Sequence, residues 1–267
     1  MTQTPETLEI LTLNIGNPSL QRAERQLDWL TGRGEHVLVL TETAPSRGCD
    51  LIAERLSQAC WEVRFPRPVE GERGVMIASR VRLAERGDDL VGYLPARAER
   101  ALIVGAMLEV VGLYVPSRDA SVAKTERKRR FLKGVSGALP AAPPAGVLIG
   151  DLNIIEPAHR PPYAWFQDWE YDFYSGLLDS GWVDAYRLRS PDATEHSWVS
   201  YDGDGYRYDH VLVSAALAER VVQCGYLHET REYTLTDHSA MTLTLRLEGA
   251  RHLEVEESLT AEPATLF

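Results

Sequence analysis

VLIGDLNII, residues 147–155, is the stretch from which the fold is read most directly. Val147, Leu148 and Ile149 are strand-forming residues, Gly150 follows, and the run ends on Asp151 with Asn153 two positions later. A short apolar run bounded by turn residues is the pattern of a buried strand. Ending it in this way puts a carboxylate and an amide at the rim of a sheet.

Similar runs recur on either side. Apolar β-type segments occupy 8–13, 37–40, 74–78, 101–104, 107–114, 147–149, 211–213 and 241–247, and helix-type periodicity covers 19–31, 49–60, 121–139 and 163–180. Strands outnumber helices and several are joined by short turns, which predicts two packed mixed sheets with outer helices rather than a doubly wound parallel sheet. PAAPPAG (140–146) reads as a stiff connector into the strand at 147. At 267 residues the chain suits one large core, so 1–247 is expected to be a single domain. The remainder, EGARHLEVEESLTAEPATLF (248–267), is acidic and aperiodic and is expected to be a flexible tail.

Composition narrows the function classes. No apolar run approaches membrane-spanning length, and a hydrophobic fraction of 44% beside 25% charged residues is that of a soluble globular protein. The opening MTQTPETLEI lacks the basic and apolar regions of a secretory signal, from which a cytoplasmic location is expected. Cys49, Cys60 and Cys224 form no CxxC pattern and fit reduced thiols rather than a disulfide framework or a zinc site. The formal net charge of −11 argues against indiscriminate polyanion binding but leaves room for a local basic patch.

The force of the strand ends lies in their shared chemistry. Asn14 closes LTLN, Glu42 follows VLVLT, Tyr114 closes VVGLY, Asp151 and Asn153 follow VLIG, Asp209 and His210 precede VLVS, and Asp237 and His238 precede the last strand. This oxygen-rich, sulfur-free set suits a hard divalent cation such as Mg²⁺, with Mn²⁺ as a substitute. A zinc hydrolase would want more histidine or cysteine.

The ordered series LNIGN, LTET, LYVPS, GDLNI, HSW, RYDHVLVS and TDHSAM resembles the endonuclease/exonuclease/phosphatase superfamily and is most similar to exonuclease III and the abasic-site (AP) endonucleases. The resemblance runs from residue 8 to residue 247. It implies a four-layer αββα sandwich of the DNase I-like kind, two mixed β-sheets flanked by helices, with the site at one rim where the sheets meet. It also implies a Mg²⁺-dependent phosphodiesterase, foremost a DNA nuclease that incises abasic sites or processes 3′ ends in repair. Carried over position by position, it makes Glu42 the main metal ligand, assisted by Asn14 and Asp237. Asp151 would orient or deprotonate the attacking water, with Asn153 beside it holding that water or a phosphate oxygen. His238 would sit against the scissile phosphate with Asp209 fixing its ring, and Tyr114 would contact the phosphate through its hydroxyl.

Elementary chemistry supports these roles. Phosphodiester hydrolysis needs equatorial oxygens neutralised, a water delivered in line and a departing oxyanion stabilised, which a metal, a histidine and a tyrosine supply together. A serine-hydrolase use of the His–Asp pair lacks a G-x-S-x-G nucleophile elbow.

Several positions depart from the pattern. After Asn14 relatives commonly carry a second polar or acidic side chain; Asn17 stands there, equally able to shape the turn with Pro18, and stays outside the metal set. Ser117 replaces the Asn or Gln of relatives, with Arg118 following as a compensating phosphate contact. Trp198, in HSWVSYDGDGYRYD, falls where relatives place an aromatic against an extruded abasic sugar, and a core tryptophan is an equal alternative. Asp202 and Asp204 in that loop are unfavourable near DNA.

Lys124, Arg127, Lys128, Arg129, Arg130 and Lys133 gather after the Tyr114 motif; on a helix Arg127 and Arg130, or Lys124 and Lys128, share a face, which offers a phosphate-tracking stripe with Arg127 and Lys128 as candidate contacts, or else a solvated face. Arg73 matches a place where relatives approach the nucleic-acid backbone. His159, His196 and His228 read as surface or turn residues. The expected partner is DNA, with no membrane, and the expected state is a monomer. A phosphatase or phosphodiesterase for a small or lipid-linked phosphate is the main rival, and a non-catalytic binding module is the third class.

Overall fold

The computed structural model describes residues 6–85, 87–139 and 145–247. The tail expected over 248–267 and most of the 140–146 connector lie outside the described residues. In chain order the first half contains β1 (Thr7–Asn14), α1 (Leu20–Thr31), β2 (Val37–Thr43), α2 (Arg47–Gln58), β3 (Glu62–Arg64), β4 (Gly74–Ser79), β5 (Ala98–Ile103), β6 (Leu108–Tyr114) and α3 (Val122–Ala138). Then come β7 (Gly146–Asp151), α4 (Asp168–Asp179), β8 (Trp182–Asp184), α5 (Ala185–Arg189), β9 (Trp198–Val199), β10 (Gly205–Tyr206), β11 (Asp209–Ser214), β12 (Val221–Leu227), α6 (Glu229–Glu232) and β13 (Ala240–Arg246).

The strands form a six-stranded sheet, ordered β12-β13-β1-β2-β4-β3, and a five-stranded sheet, ordered β5-β6-β7-β11-β8, with β9 and β10 as a separate hairpin. Both large sheets are mixed: β1 runs parallel to β2 and β6 parallel to β7, and their other pairings are antiparallel.

Alternation along each strand sorts the faces. Leu8, Ile10, Val37, Val39, Val75 and Ile77 of the larger sheet meet Val110, Val147, Ile149, Val211 and Val213 of the smaller one in the central core. Their chain neighbours Leu11, Leu13, Leu38, Leu40, Met76 and Ala78 turn outward onto Ala23, Leu27 and Leu30 of α1 and Ile52 and Leu56 of α2. On the far side Val111, Leu113, Leu148 and Leu212 meet Phe131, Leu132 and Val135 of α3 and Phe173, Tyr174 and Leu177 of α4. The result is the four-layer αββα sandwich that the motifs implied. Gly112 lets the sheets approach closely: a Cβ there would lie 2.7 Å from Val39 Cγ1 and 2.8 Å from Val75 Cγ1.

Serine side chains set the helix starts. Ser19, Ser46 and Ser121 accept backbone N–H bonds from residues three further on, satisfying donors that the first turn leaves unpaired. A reciprocal cap between Gln167 and Glu170 starts α4 at Asp168, so the expected helix over 163–180 is shorter at its N-terminus. One long strand escaped the sequence reading. β12 (VVQCGYL) is an edge strand with only Val221 and Cys224 buried and an irregular register against β13, so its apolar pattern is too sparse to read.

Candidate active site

Strand parity brings the site together. Asn14 shares its face with Leu8 and Ile10, Tyr114 with Val110, Asp151 with Val147 and Ile149, and Asp209 with Val211 and Val213, so all four emerge between the sheets. Register aligns them at one rim: Asp151 is opposite Tyr114 on β6 and opposite Asp209 on β11.

Glu42 reaches the rim by a different route. Regular alternation would send it outward with Leu38 and Leu40, against the helices. Instead the β2–β4 register shifts between Thr41 and Thr43, and Glu42 takes the left-handed conformation at φ 57°. Its carboxylate then meets Asn14, whose Nδ2 donates to Glu42 Oε2 at 3.1 Å and to Asp151 Oδ2 at 2.9 Å. Asn14 Oδ1 accepts the Gly16 N–H at 2.9 Å, which fixes the amide with its nitrogen toward the carboxylates.

The turn after β7 is equally constrained. Gly150 adopts φ 136°, and a Cβ there would fall 2.2 Å from the Leu113 carbonyl oxygen. Asn153 is left-handed at φ 48°, its N–H donates to Asp151 Oδ1 at 2.9 Å, and its Nδ2 donates to the Val115 carbonyl at 3.0 Å. Left-handed non-glycine residues are uncommon, and two of them flank this rim.

Electrostatics follow from burial. His238 Nδ1 lies 2.7 Å from Asp209 Oδ2, and both residues are buried. Burial alone would lower the imidazole, but Asp209, with Asp151 and Asp237 nearby, pushes it up to about 9. Asp151 is pushed well above the usual carboxylate range by its burial and by the Asp209 charge. Burial and the Glu42 and Asp151 charges raise the Tyr114 phenol, so it remains a neutral donor. Asp237 accepts from Trp198 Nε1 at 2.9 Å; burial pushes its carboxyl up, but His238 and this bond hold it below the usual range.

Asp151, Asp209 and His238 offer ligand atoms within 4.8 Å of one another, a group able to hold a metal ion. The donor chemistry fits a hard cation. Glu42 and Asp151 share a single amide donor, and Asp209 Oδ1 is buried without a hydrogen-bond partner. The imidazole is the least suited member, because its Nδ1 is already committed to Asp209 and it keeps its proton at neutral pH. The 740 Å³ cavity between Glu156, Trp182, Arg187 and Glu195 is a separate feature, lined by none of Glu42, Asp151, Asp209 or His238.

The candidate substrate contacts divide. Trp198 is half-buried beside His238, with its ring 5.8 Å from Tyr208 and 5.6 Å from Tyr206, so it belongs to the rim and not to the central core. Arg73 stands with Nε 3.9 Å from Glu42 Oε1. The others are engaged within the protein. Arg118 donates to Glu170 and to the Trp165 carbonyl, Arg127 pairs with Glu72, and Lys128 is buried against Glu170 and the Asn153 carbonyl. Lys124 pairs with Asp119, Arg129 with Glu126, and Arg130 lies over the Tyr93 ring. Of these α3 cations Lys128 is buried and turned away from solvent, whereas Lys124 and Arg129 are exposed in pairs that solvent screens.

Three histidines read as surface or turn residues have defined partners. His159 is buried between the Pro161 carbonyl and the Arg207 N–H, His196 meets the Arg160 carbonyl, and His228 bridges Ser239 and Glu195. His210, adjacent to Asp209, points to the opposite face and bonds the Ile154 carbonyl. Arg97 went unread, since nothing in its sequence context marks it; its guanidinium lies over the Tyr114 ring at 4.7 Å. Tyr163, Tyr206 and Tyr208 also went unread, although GYRYD shows the alternation; they stack at 4.3 and 5.1 Å into an aromatic wall continuing from Trp198.

No protein-family model matches the chain, and no curated protein matches it. Solved structures do. An AP endonuclease from Archaeoglobus fulgidus is 24% identical with a TM-score of 0.76, the match covering 89% of this chain and 99% of that one. The 3′-5′ exonuclease NExo from Neisseria meningitidis is 26% identical with a TM-score of 0.74, covering 88% and 98%. The 3′ phosphatase NExo from Neisseria bound to a product DNA hairpin is 24% identical with a TM-score of 0.76, covering 88% and 98%. The architecture is that of these proteins over nearly their whole lengths, consistent with the endonuclease/exonuclease/phosphatase resemblance carried by the motifs.

Proposed function

We propose that the protein is a Mg²⁺-dependent phosphodiesterase of exonuclease III type, acting on DNA at abasic sites or 3′ ends in repair. One observation carries this reading: His238, backed by buried Asp209, stands on the same rim as Asp151, Asn153, Glu42 and Tyr114. In it, Glu42 would be the main ligand of the ion, assisted by Asp237 and Asn14. Bound there, the ion would supply positive charge to the phosphate oxygens and the leaving oxygen.

The remaining steps belong to the chain. Asp151, with its raised affinity for a proton, takes one from the attacking water, while Asn153 holds that water or a phosphate oxygen. His238 donates through Nε2 to the phosphate while Asp209 fixes the ring through Nδ1, and the neutral Tyr114 hydroxyl donates to the same group. Trp198, continued by Tyr208 and Tyr206, gives an apolar wall beside His238 for a sugar turned out of the duplex. The two NExo structures, named for exonuclease and 3′ phosphatase activity, support 3′-end processing alongside incision. The enzyme works as a cytoplasmic monomer in this reading, with 1–247 as its catalytic domain and 248–267 as an appended tail.

A second reading, a phosphatase or phosphodiesterase for a small or lipid-linked phosphate, is favoured by the internal pairing of the α3 cations. No helix among the described residues is long and apolar enough to cross a membrane. The test is cleavage of labelled duplexes carrying an abasic analogue, a 3′ phosphate or no lesion, with Mg²⁺ or EDTA, beside Asp151→Asn. Mg²⁺-dependent cleavage lost in the variant is expected. Hydrolysis confined to small phosphoesters would overturn the DNA reading.

A further inference from the structure

Lys128 lies in a basic run on α3, yet it faces neither solvent nor an open groove. The residue is 1% exposed and sits one turn ahead of Leu132 on the buried face of the helix. Its Nζ donates to the main-chain carbonyl of Asn153 at 2.6 Å and to Glu170 Oε1 at 2.5 Å. Glu170 is fully buried, and its Oε2 accepts from Arg118 Nε at 2.9 Å and from the Gln167 N–H at 3.0 Å.

Burying an ammonium with a carboxylate adds little stability over apolar residues of similar volume. Packing alone therefore does not account for a lysine beside Phe131 and Leu132. What the lysine reaches does account for it. Asn153 holds a left-handed backbone at φ 48°, and its N–H is bonded to Asp151 Oδ1. The Leu152 N–H is bonded to the Tyr208 carbonyl, and the Asn153 side chain to Val115. The Asn153 carbonyl belongs to the same turn, and a charged donor fixed in the interior holds it.

We propose that Lys128, with Glu170 as its counter-ion, is a positioning residue that holds the Asn153 carbonyl and thereby the left-handed turn aiming Asp151 and Asn153 at the substrate. The catalytic consequence rests on the phosphodiesterase reading; the structural one does not. Burial lowers the affinity of Lys128 for its proton, while Glu170 counters that effect, and Glu170 is itself held below the usual carboxylate range against its burial by Arg118 and Lys128.

The test is a double-mutant cycle between Lys128→Met and Asn153→Ala, read as kcat and KM on a duplex with an abasic analogue. Lys128→Met is expected to lower kcat by about a hundredfold with KM little changed, and Lys128→Arg to recover most of the loss. In the Asn153→Ala background, which keeps the carbonyl and leaves only the aim of Asp151 to lose, the same change should cost clearly less, about tenfold. Equal losses in both backgrounds, or a change in KM alone, would overturn the proposal. Amide hydrogen exchange supplies a readout independent of activity. The segment carrying Leu152 and Asn153 should exchange faster in Lys128→Met while β1 stays protected, and unchanged exchange there overturns the proposal. Wild-type protein that cleaves no phosphodiester removes the functional reading and leaves the exchange result to decide positioning. Should Lys128→Met not fold, Glu170→Gln is expected to show the same exchange pattern, and its absence overturns the proposal.

Discussion

His238 and Asp209 meet through a 2.7 Å bond from Nδ1 to Oδ2, with the carboxylate fully buried behind the ring. That contact favours the imidazolium, so Nε2, which faces the Asn14 amide at 3.4 Å, is set to donate toward a phosphate rather than to act as a base toward water.

The first prediction concerns stability against pH in EDTA. The His238 pKa is raised from an ordinary 6.5 to about 9, so its contribution is complete below pH 6.5 and is lost as pH rises through about 9. The raised Asp151 acts in the same direction at lower pH, its contribution being lost between about 3.8 and about 7 as the buried carboxyl ionises. Thermal unfolding should therefore show stability falling between pH 6.5 and 9, by up to roughly 3 kcal/mol for the His238 part. Asp209→Asn should flatten the decline; an unchanged slope in that variant would refute the pairing.

Loss of either side of the proton chemistry should be severe. Asp151→Asn and His238→Gln are each expected to reduce kcat/KM by about a thousandfold, and the double variant by little more, because the groups act as one unit. Incision of the abasic duplex under single-turnover conditions measures this. Multiplicative losses would separate the two residues.

Metal binding can be read without catalysis. Mg²⁺ or Mn²⁺ should raise the wild-type melting temperature by mass action. Glu42→Gln should lose most of this shift while matching the wild type in EDTA. A shift retained in Glu42→Gln but lost in Asp209→Asn would move the ion to the Asp151–Asp209–His238 group.

The pairing of the α3 cations sets the salt dependence of DNA binding. Lys124→Ala and Arg129→Ala, whose partners are Asp119 and Glu126, should leave affinity within about twofold and change the salt slope by less than about one. A steeper loss by fluorescence anisotropy would show that these cations leave their partners for phosphate.

Gly150→Ala tests the rim itself. The added methyl would stand 2.2 Å from a backbone oxygen at φ 136°, so β6 and β7 must part. Urea denaturation should show a loss of about 3 kcal/mol or more, and a milder effect would mean that the turn relaxes freely.

By itself the sequence determined the layers and most of the rim. Period-two alternation in runs such as LEILTL and VLVL, together with Ser-capped helices, sorts residues into an inner and an outer face without knowledge of the partner sheet. The same parity carries Asn14, Asp151 and Asp209 to one edge, and the motif order carried the family likeness. Tertiary structure alone decided which polar groups face the site. Glu42 is there because a bulge overrides alternation. Lys128 and Arg118 read as phosphate contacts but are drawn inward by Glu170, 42 and 52 residues away in the chain, while the partly exposed Arg127 pairs with Glu72, 55 residues away. A side chain's charge is written in the sequence, but its partner is chosen by long-range packing, because a buried cation must find a carboxylate or carbonyl wherever the layers bring one within reach.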